Sequence, residues 1–361
     1  MNFDTPFLKV VRLLLFPLSL IYGFVIRCRN WCYDRGIFHS QTFGIPVICV
    51  GNLSVGGTGK TPMVELLVRI LSTRFNLAIV SRGYKRNTSG FIIADVQSTT
   101  ADLGDEPMQF HEKFPGVTVA VGEKRVPAIE QVLEQRPHTN IIILDDAFQH
   151  RAVKAGLNLL LTDYNHLYSR DMLLPSGNLR DEKRSARRAQ VIVVTKCPET
   201  LTEPQRIAIL KELKPQTVQA VFFASIRYGA PYPLQHSGIN TDAAAVSVLL
   251  VTGIADPARL REHLKNSHQA YHELVYPDHH AFAPGDIDTI RNRFSAIAGP
   301  KIIVTTEKDA TRLKAYTKQL DGLPVYVIPI ECSFLFGDSG RFTDLIGTFI
   351  QRFDHKNITQ Q

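Results

Sequence analysis

The sequence predicts an α/β protein with a doubly wound, mainly parallel sheet and a second, smaller α/β domain. Short apolar segments alternate with segments of helical periodicity over residues 45–215, which is the pattern of parallel strands covered by helices. A second alternation of the same kind begins near residue 246. Ahead of both, an apolar stretch with basic flanks lies within residues 1–40 and predicts a separate helical segment.

The composition is that of a folded protein with an excess of positive charge. The chain has 361 residues, enough for two domains, of which 44% are hydrophobic and 21% charged, and its formal net charge is +7. Such a charge suits nucleic acid, anionic lipid or phosphorylated substrates. Because the sequence contains no recognisable nucleic-acid-binding module, nucleic acid is not a predicted partner.

The cysteines predict reduced thiols and no disulfide framework. They are few, odd in number and set mostly in apolar surroundings. Cys28 and Cys32 have no second Cys or His pair nearby, so no zinc site is predicted there.

The N-terminal apolar stretch favours a helix that lies in a membrane surface. Residues 13–26 are apolar apart from three positions, and Pro17 interrupts them. These 14 residues fall short of the roughly 20 that a helix needs to cross a bilayer. Basic residues flank the stretch on both sides, and Trp31 and Tyr33 follow it, as is typical of interfacial helices. A buried core helix and a true membrane span remain as alternative interpretations.

A glycine-rich loop follows the first predicted strand, residues 45–50. After the loop, residues 62–72 carry apolar side chains at helical spacing. Strand, glycine loop, Lys-Thr and helix together are the context of a nucleotide-binding P-loop. In such a loop backbone N–H groups bind phosphate, Lys60 reaches the β- and γ-phosphates, and the Thr61 hydroxyl ligates Mg²⁺. The predicted ATP-binding residues are Ser54, Val55, Gly56, Gly57, Thr58, Gly59, Lys60 and Thr61, with Ser54 where the usual pattern has glycine.

A second motif, which is acidic, supplies carboxylates for the metal of a P-loop NTPase-type fold. Four apolar residues, 141–144, predict a buried strand that ends in Asp145 and Asp146. Ligands of open parallel sheets bind at the carboxyl ends of the strands. We therefore predict that Asp145 holds Mg²⁺ directly or through water, with assistance from Asp146. An aspartate that only caps the next turn is the alternative.

Further segments complete the predicted sheet and surround its carboxyl edge with polar side chains. Predicted strands are residues 77–80, 117–121, 157–161 and 191–194, and predicted helices are residues 126–135 and 205–213. Polar clusters follow strands or occupy loops at residues 81–86, 104–107, 122–125, 148–151 and 173–181. Any one cluster is compatible with an ordinary surface loop, but their shared position at this edge favours a binding site.

The second alternation predicts a separate domain. Apolar strands at residues 246–251 and 301–306 flank a helix at 259–265, and the tail at 341–353 has helical periodicity. Residues 218–226 and 324–331 are predicted to be strands that cross between the domains, once outward and once back. We predict an N-terminal membrane-associated helical segment (1–40), a P-loop domain (41–217), a second α/β domain with two linker strands (218–333), and a C-terminal helix that can pack on the P-loop domain (334–361).

Six ordered motifs carry a resemblance to a known family. They lie at residues 51–62, 81–84, 104–107, 145–150, 276–280 and 304–310. In these motifs the chain resembles tetraacyldisaccharide 4'-kinase, the lipid A kinase of Gram-negative bacteria. The resemblance extends from the apolar N terminus to about residue 350, and the family also has serine at the position of Ser54.

The resemblance implies ATP- and Mg²⁺-dependent phosphorylation of the 4'-hydroxyl of tetraacyldisaccharide 1-phosphate, which gives lipid IVA in lipid A biosynthesis. It implies an anionic lipid A disaccharide precursor and a membrane surface as partners. The implied location is the cytoplasmic face of the bacterial inner membrane, with peripheral or monotopic attachment. No obligate protein partner is inferred.

The resemblance also implies roles for individual residues. Asp105 resembles the family's general base near the sugar hydroxyl, and His279 its partner. A carboxylate oriented by an imidazole suits a hydroxyl whose proton must leave at neutral pH. Lys60, Mg²⁺ and Arg125 are expected to offset charge on the transferred phosphoryl group. Glu106 joins Asp145 as a candidate for arranging the metal.

Three positions depart from the family pattern. Lys85 and Ala147 stand where the family usually has glycine, and Asp181 stands where it usually has glutamate. The shorter acidic side chain of Asp181 leaves its role open, and Lys85 is expected to change how its loop meets substrate.

Rival functions differ in their need for an acceptor. A P-loop NTPase acting as a metal-insertion or switch protein, or a membrane-bound nucleotide sensor, would turn over or bind nucleotide without a glycolipid and without Asp105. The hypothesis of a nucleic-acid-dependent ATPase is supported by the net charge alone.

Overall fold

The computed structural model describes residues 12, 14–235, 246–267 and 270–358. Its strands are β1 (Val47–Asn52), β2 (Leu77–Ser81), β3 (Ile92–Ile93), β4 (Thr118–Val121), β5 (Ile141–Asp145), β6 (Leu157–Asp163), β7 (Val191–Thr195), β8 (Ala220–Tyr228), β9 (Tyr232–Pro233), β10 (Ser247–Thr252), β11 (Ala270–Val275), β12 (Lys301–Thr306), β13 (Val325–Ile328) and β14 (Ile330–Phe334). Its α-helices are α1 (Phe16–Asp34), α2 (Lys60–Leu71), α3 (Thr100–Leu103), α4 (Asp105–Lys113), α5 (Arg125–Gln135), α6 (Glu203–Leu213), α7 (Ala258–Ser267), α8 (Pro284–Ser295), α9 (Glu307–Leu313) and α10 (Ser339–Ile358).

The large sheet has nine strands in the order β14-β8-β7-β6-β1-β5-β2-β4-β3. Its strands pair in parallel except β3 and β14 at the two edges. Every residue of β1 is buried, and alternate residues of β1 enter opposite cores: Val47 and Cys49 face one, Ile48 and Val50 the other. Helices on both faces of a parallel sheet explain strands that are apolar throughout. The predicted doubly wound α/β fold is confirmed.

The smaller sheet has five strands in the order β11-β10-β12-β13-β9 and is parallel except for β9. Here too neighbouring residues of one strand enter different cores, as Leu249 and Leu250 of β10 do. This second α/β unit therefore has its own hydrophobic core on each face of its sheet.

The predicted linker strands lie largely in the large sheet. Strand β8 pairs in parallel with β7 and antiparallel with β14, so the large sheet continues past the predicted boundary at residue 217. The predicted strand at 324–331 divides at Pro329: β13 before it pairs in the small sheet, and β14 after it pairs in the large one. Both segments that pass between the two sheets therefore pair as strands of those sheets. This pairing satisfies the hydrogen-bonding groups of their backbone.

Helix α1 turns its small and polar side toward the rest of the protein. Ser19 and Asn30 are buried, and a Cβ at Gly23 would lie 2.8 Å from Leu173 Cδ1. Pro17, predicted to interrupt the apolar stretch, lies in the first turn of α1, where its missing N–H has no partner to lose. Within the described part of the chain, no helix combines the length and apolar character that crossing a membrane requires.

The C-terminal helix α10 packs on the large sheet. Phe342, Ile346 and Ile350, spaced four residues apart, are buried in the core that also contains Ile48 and Val50 of β1. This spacing places the three side chains on one face of the helix.

Candidate active site

The P-loop joins the central strand β1 to helix α2. Gly56 and Gly59 adopt positive φ angles of 101° and 77°, the left-handed region in which glycine is least strained. The loop is fastened to its surroundings: Val55 N donates to Asn178 O over 2.8 Å, and the Thr195 hydroxyl donates to Thr58 O over 2.9 Å. Helix α2 begins at Lys60, so its N-terminal N–H groups and positive dipole end face the loop, as anion binding requires.

The two predicted metal carboxylates follow each other at the end of β5 but have different partners. Asp146 has φ 46° and faces cations: Lys60 Nζ lies 3.7 Å from Oδ1, and Arg180 Nη1 donates to Oδ2 over 3.1 Å. Burial by itself raises the pKa of Asp146, but Lys60 and Arg180 outweigh burial and lower the pKa below its ordinary value. Arg180 was not among the predicted site residues; it lies in the polar cluster predicted at 173–181.

Asp145 is buried, and none of the ion pairs within the described ranges includes its carboxylate, although the charge of Lys60 acts to lower its pKa. Its Oδ2 accepts a hydrogen bond of 2.9 Å from the Ser81 hydroxyl. Burial, with the charges of Asp146 and Glu106, raises the pKa of Asp145 to about 6. A buried carboxylate with raised pKa among other acids is a site that favours an external cation.

The donor set suits magnesium. Hard oxygen ligands surround the loop: the Thr61 hydroxyl and the carboxylates of Asp145 and Asp146. Among the residues that the structure describes, no group of three or more His, Cys, Asp or Glu side chains forms a complete metal cage. Magnesium is usually held by one or two carboxylates together with substrate phosphates, so this incomplete set fits the ion. Glu106 lies 3.2 Å from Lys308 Nζ, and its predicted role in arranging the metal stays a prediction.

Asp105 and His279 meet across the two domains. Asp105 is the first residue of α4 in the P-loop domain, and His279, with φ 61°, lies in the loop after β11 of the second domain. His279 Nδ1 is 2.8 Å from Asp105 Oδ2, and both side chains are largely buried. Burial alone raises the pKa of Asp105; the His279 hydrogen bond and the charges of Arg312 and Lys308 outweigh it, and the pKa lies below its ordinary value.

Helix α9 supplies cations to this pair that sequence reasoning did not assign. Lys308 Nζ is 3.1 Å from His279 Nε2, and Arg312 Nε is 3.6 Å from Asp105 Oδ2. Arg312 is in turn held by Asp309, which is fully buried and also accepts from the Thr252 hydroxyl. The motif at 304–310 was recognised, but nothing in it indicated contacts with a helix about 200 positions earlier.

Arg125 supports the end of strand β5. It is 2% exposed, and its guanidinium donates to the backbone carbonyls of Gly122 (2.6 Å) and Asp145 (3.1 Å). Burial lowers the pKa of Arg125 to about 10, against the opposing charges of Asp145 and Asp146. These contacts orient the strand end, and the predicted effect of Arg125 on the transferred phosphoryl group stays a prediction.

The three departures from the family pattern have distinct structural settings. Lys85 adopts φ 59°, a conformation that favours the glycine usual there. Ala147 is 4% exposed, so its methyl group is accommodated in the core. Asp181 is buried and fastens α1: it accepts from Asn30 Nδ2 (2.9 Å) and pairs with Arg188 (2.7 Å).

The chain is similar to known proteins over nearly its whole length. The family model described as Tetraacyldisaccharide-1-P 4'-kinase matches residues 11–351. A tetraacyldisaccharide 4'-kinase of Bacteroides thetaiotaomicron is 43% identical, with 96% of this chain and 95% of that protein covered. One of Flavobacterium johnsoniae is 44% identical, covering 91% of this chain and 94% of that protein. The crystal structure of LpxK from Aquifex aeolicus in complex with ATP is similar with a TM-score of 0.72 at 27% identity, covering 94% of this chain and 99% of that one.

Proposed function

The chain belongs to the tetraacyldisaccharide-1-P 4'-kinase family, and we propose on that premise that it transfers the γ-phosphoryl group of ATP to the 4'-hydroxyl of a tetraacyldisaccharide 1-phosphate, giving lipid IVA. The observation that carries the proposal is the proximity of two sets of side chains: a P-loop with its paired aspartates, and the Asp105–His279 pair, whose neighbour Glu106 is close enough for its charge to raise the pKa of Asp145. The first set suits a nucleotide, and the second suits a hydroxyl acceptor.

The atoms and electrons of the proposed reaction balance. The sugar oxygen forms a bond to the γ-phosphorus while the bond from that phosphorus to the bridging oxygen breaks, and ADP takes the electron pair. The hydroxyl proton passes to Asp105, whose other oxygen is held by His279. Lys60 and the backbone N–H groups of the loop bind the phosphates. Thr61, Asp145 and Asp146 would hold Mg²⁺, which offsets negative charge on the phosphoryl group when bound.

Helix α1 supports attachment to a membrane surface. Its polar side faces the protein, and its apolar side faces outward, the reverse of an ordinary surface helix. Five apolar side chains of α1 are each more than half exposed, Leu18, Leu20, Ile21, Phe24 and Val25, and so is Leu14 just before the helix. Patches of this kind mark membrane or protein contacts, and the neighbouring Arg27 and Lys183 suit anionic lipid. We infer peripheral attachment at the cytoplasmic face of the inner membrane.

A cavity beside α1 suits the acyl chains of the acceptor. It has a volume of about 370 Å³ between the helix and residues 171–184. Leu20, Met172 and Leu173 give it apolar walls, and its charged lining includes Arg27 and Lys183 together with Asp171 and Glu182, which pairs with Arg27. An apolar space with cations beside it matches an acylated, phosphorylated sugar.

Transfer of labelled γ-phosphate to a purified lipid A disaccharide precursor tests the function. We expect wild-type protein to label the lipid and Lys60→Ala to abolish labelling, because the Lys60 charge is directed at phosphates. Lys211→Ala, at an exposed position of α6, is the matched control and should label normally. ATP hydrolysis that is independent of the glycolipid would support the switch-protein alternative and contradict the kinase.

Binding to vesicles that contain anionic lipid tests the attachment. Ile21→Asp with Phe24→Asp places charge on the outward side of α1 and leaves its buried contacts through Asn30 in place. We expect binding to weaken by about tenfold or more, since burial of an aromatic or aliphatic side chain contributes about 1.5–3 kcal/mol. Val96→Asp, at a 97% exposed apolar position elsewhere, is the control. Equal binding by the three proteins would remove α1 as the anchor.

A further inference from the structure

Lys308 faces the side of the His279 ring opposite to Asp105. It is the second residue of α9, directly after β12, and its Nζ lies 3.1 Å from His279 Nε2. Two carboxylates surround the same ammonium group, Glu106 at 3.2 Å and Asp278 at 4.0 Å. The ammonium group of Lys308 thus lies between an imidazole nitrogen and two carboxylates.

The chemistry of an ammonium group decides how the ring is protonated. Lysine in this form has donors and no acceptor, so the contact with His279 exists only if Nε2 accepts. A neutral imidazole with a free Nε2 carries its proton on Nδ1. Nδ1 then donates to Asp105 Oδ2 over 2.8 Å. If Nε2 carried a proton, that proton would point at the donors of Lys308.

From this geometry we infer that Lys308 is a positioning residue, which fixes the Nδ1–H tautomer of His279 and thereby aims its one proton at the proposed base. Lys308 acts through His279 and is not assigned contact with substrate. The inference rests on the proposed function for its catalytic meaning, while the tautomer is a property of the protein itself.

The other groups around the ring leave this assignment intact. Tyr84 stands edge-on at a centroid distance of 5.7 Å, and Asp278 Oδ2 is 3.7 Å from Nε2, beyond hydrogen-bond length. Arg312 lies 3.6 Å from the same Asp105 oxygen that His279 binds. That oxygen is thus held from the second domain by two groups, and Oδ1 is the one that can face the acceptor hydroxyl.

Nitrogen-15 NMR of histidine-labelled full-length protein tests the tautomer directly. The His279 signals are assigned by their loss in His279→Ala. We expect wild-type protein to show a protonated Nδ1 and an unprotonated Nε2. Lys308→Met, which removes the donor at similar side-chain length, frees Nε2 to take a proton, so His279 should become protonated at Nε2, either in place of Nδ1 or in addition to it. Lys308→Arg keeps a donor-only cation and should preserve the wild-type tautomer.

Kinetics of the same variants connect the tautomer to phosphoryl transfer. Lys308→Met should lower kcat by about 10–100-fold, the cost of removing a group that orients a functional side chain, with KM for ATP unchanged. Lys308→Arg should recover part of kcat. Lys314→Met is the control, because Lys314 lies next to α9 and pairs with Glu112 of α4 at 2.9 Å but does not contact His279.

Two results would overturn the inference. One is a protonated Nε2 in the wild-type protein, which needs no variant to fold. The other is an unchanged His279 tautomer in Lys308→Met, whatever its kcat. A wild-type protein that shows the expected tautomer but labels no glycolipid would instead contradict the proposed function and leave the assignment of the tautomer in place.

Discussion

Asp105 and Asp145 are two carboxylates of the candidate active site, and the protein shifts their pKa values in opposite directions. Asp145 lies at the end of β5, where burial and neighbouring acids raise its pKa to about 6. Asp105 is held by His279 and faces Arg312 and Lys308, all from the second domain, and its pKa is lowered. The nucleotide half of the site therefore belongs to one domain and needs a cation from outside. The acceptor half has its cations but depends on the contact between domains.

The largest effect is expected from breaking the contact that spans the domains. Asp105→Ala and His279→Ala should each lower kcat by about 10²–10⁴-fold, the range for general acid–base assistance. If the two side chains act as a unit, the double variant should be little worse than the poorer single variant. ATP binding should persist, because Lys60 and Asp145 remain. Measurement of kcat for the four proteins, with melting temperatures, would expose separate roles as losses that multiply.

Removing the raised-pKa carboxylate should separate activity from stability. Asp145→Asn should lower kcat by about 10³-fold, since a catalytic metal contributes several kcal/mol. The folded-state pKa of Asp145 lies above its unfolded value, so its ionisation costs stability progressively from about pH 4 to pH 6 and fully above that range. Without nucleotide or Mg²⁺, Asp145→Asn should therefore be more stable than wild type at pH 7.5 by about 1–3 kcal/mol.

The control for this stability gain is pH itself. At pH 4 wild-type Asp145 is mostly protonated and resembles asparagine, so the two melting temperatures should converge. A wild-type protein that melts at the same temperature as Asp145→Asn at pH 7.5 would show that Asp145 already has a cation in the free protein.

The smallest effect on turnover is expected at Lys113 of α4, which joins both domains. Lys113 Nζ is 2.7 Å from Glu65 of α2 and also pairs with Glu307 of α9, and both carboxylates are buried. Lys113→Met should cost roughly 3 kcal/mol of stability, as breaking a buried ion pair does, and lower kcat by about tenfold or less.

The same interface offers a matched control for Lys113. Lys314 and Glu112 also pair across the domains, but Lys314 is exposed, and such pairs contribute about 0–1 kcal/mol. Lys314→Met should be close to wild type in melting temperature and kcat. Adding Glu307→Gln to Lys113→Met should restore part of the lost stability, because it removes one of the two carboxylates left without a cation. If the double variant were no more stable than Lys113→Met, the loss of stability in Lys113→Met would have a cause other than the unpaired Glu307 carboxylate.

The sequence predicted features that depend on residues close together in the chain, and it missed contacts between residues far apart in the chain. The P-loop and the acidic strand end are local patterns, and periodicity places β1, β5 and α2 correctly within two residues. Asp105 and His279 were paired through family resemblance, since the residues alone left His279 open as a turn histidine. Lys308 and Lys113 were missed because their partners lie far away in the chain, and no local pattern encodes a contact between domains. Pro17 falls in the first turn of α1 because the predicted apolar stretch began three residues before the helix does.

Two consecutive residues connect helix α1 to the candidate active site. Arg180 pairs with Asp146, and its carbonyl accepts from the Tyr22 hydroxyl of α1 over 2.9 Å. Asp181, the next residue, is the buried partner of Asn30 in the same helix. Helix α1 therefore cannot be replaced on its own. A chimaera that exchanges α1 for another amphipathic helix must also exchange residues 171–188, which contact it. We expect α1 and the loop that contacts it to change together, both in evolution and in engineered variants.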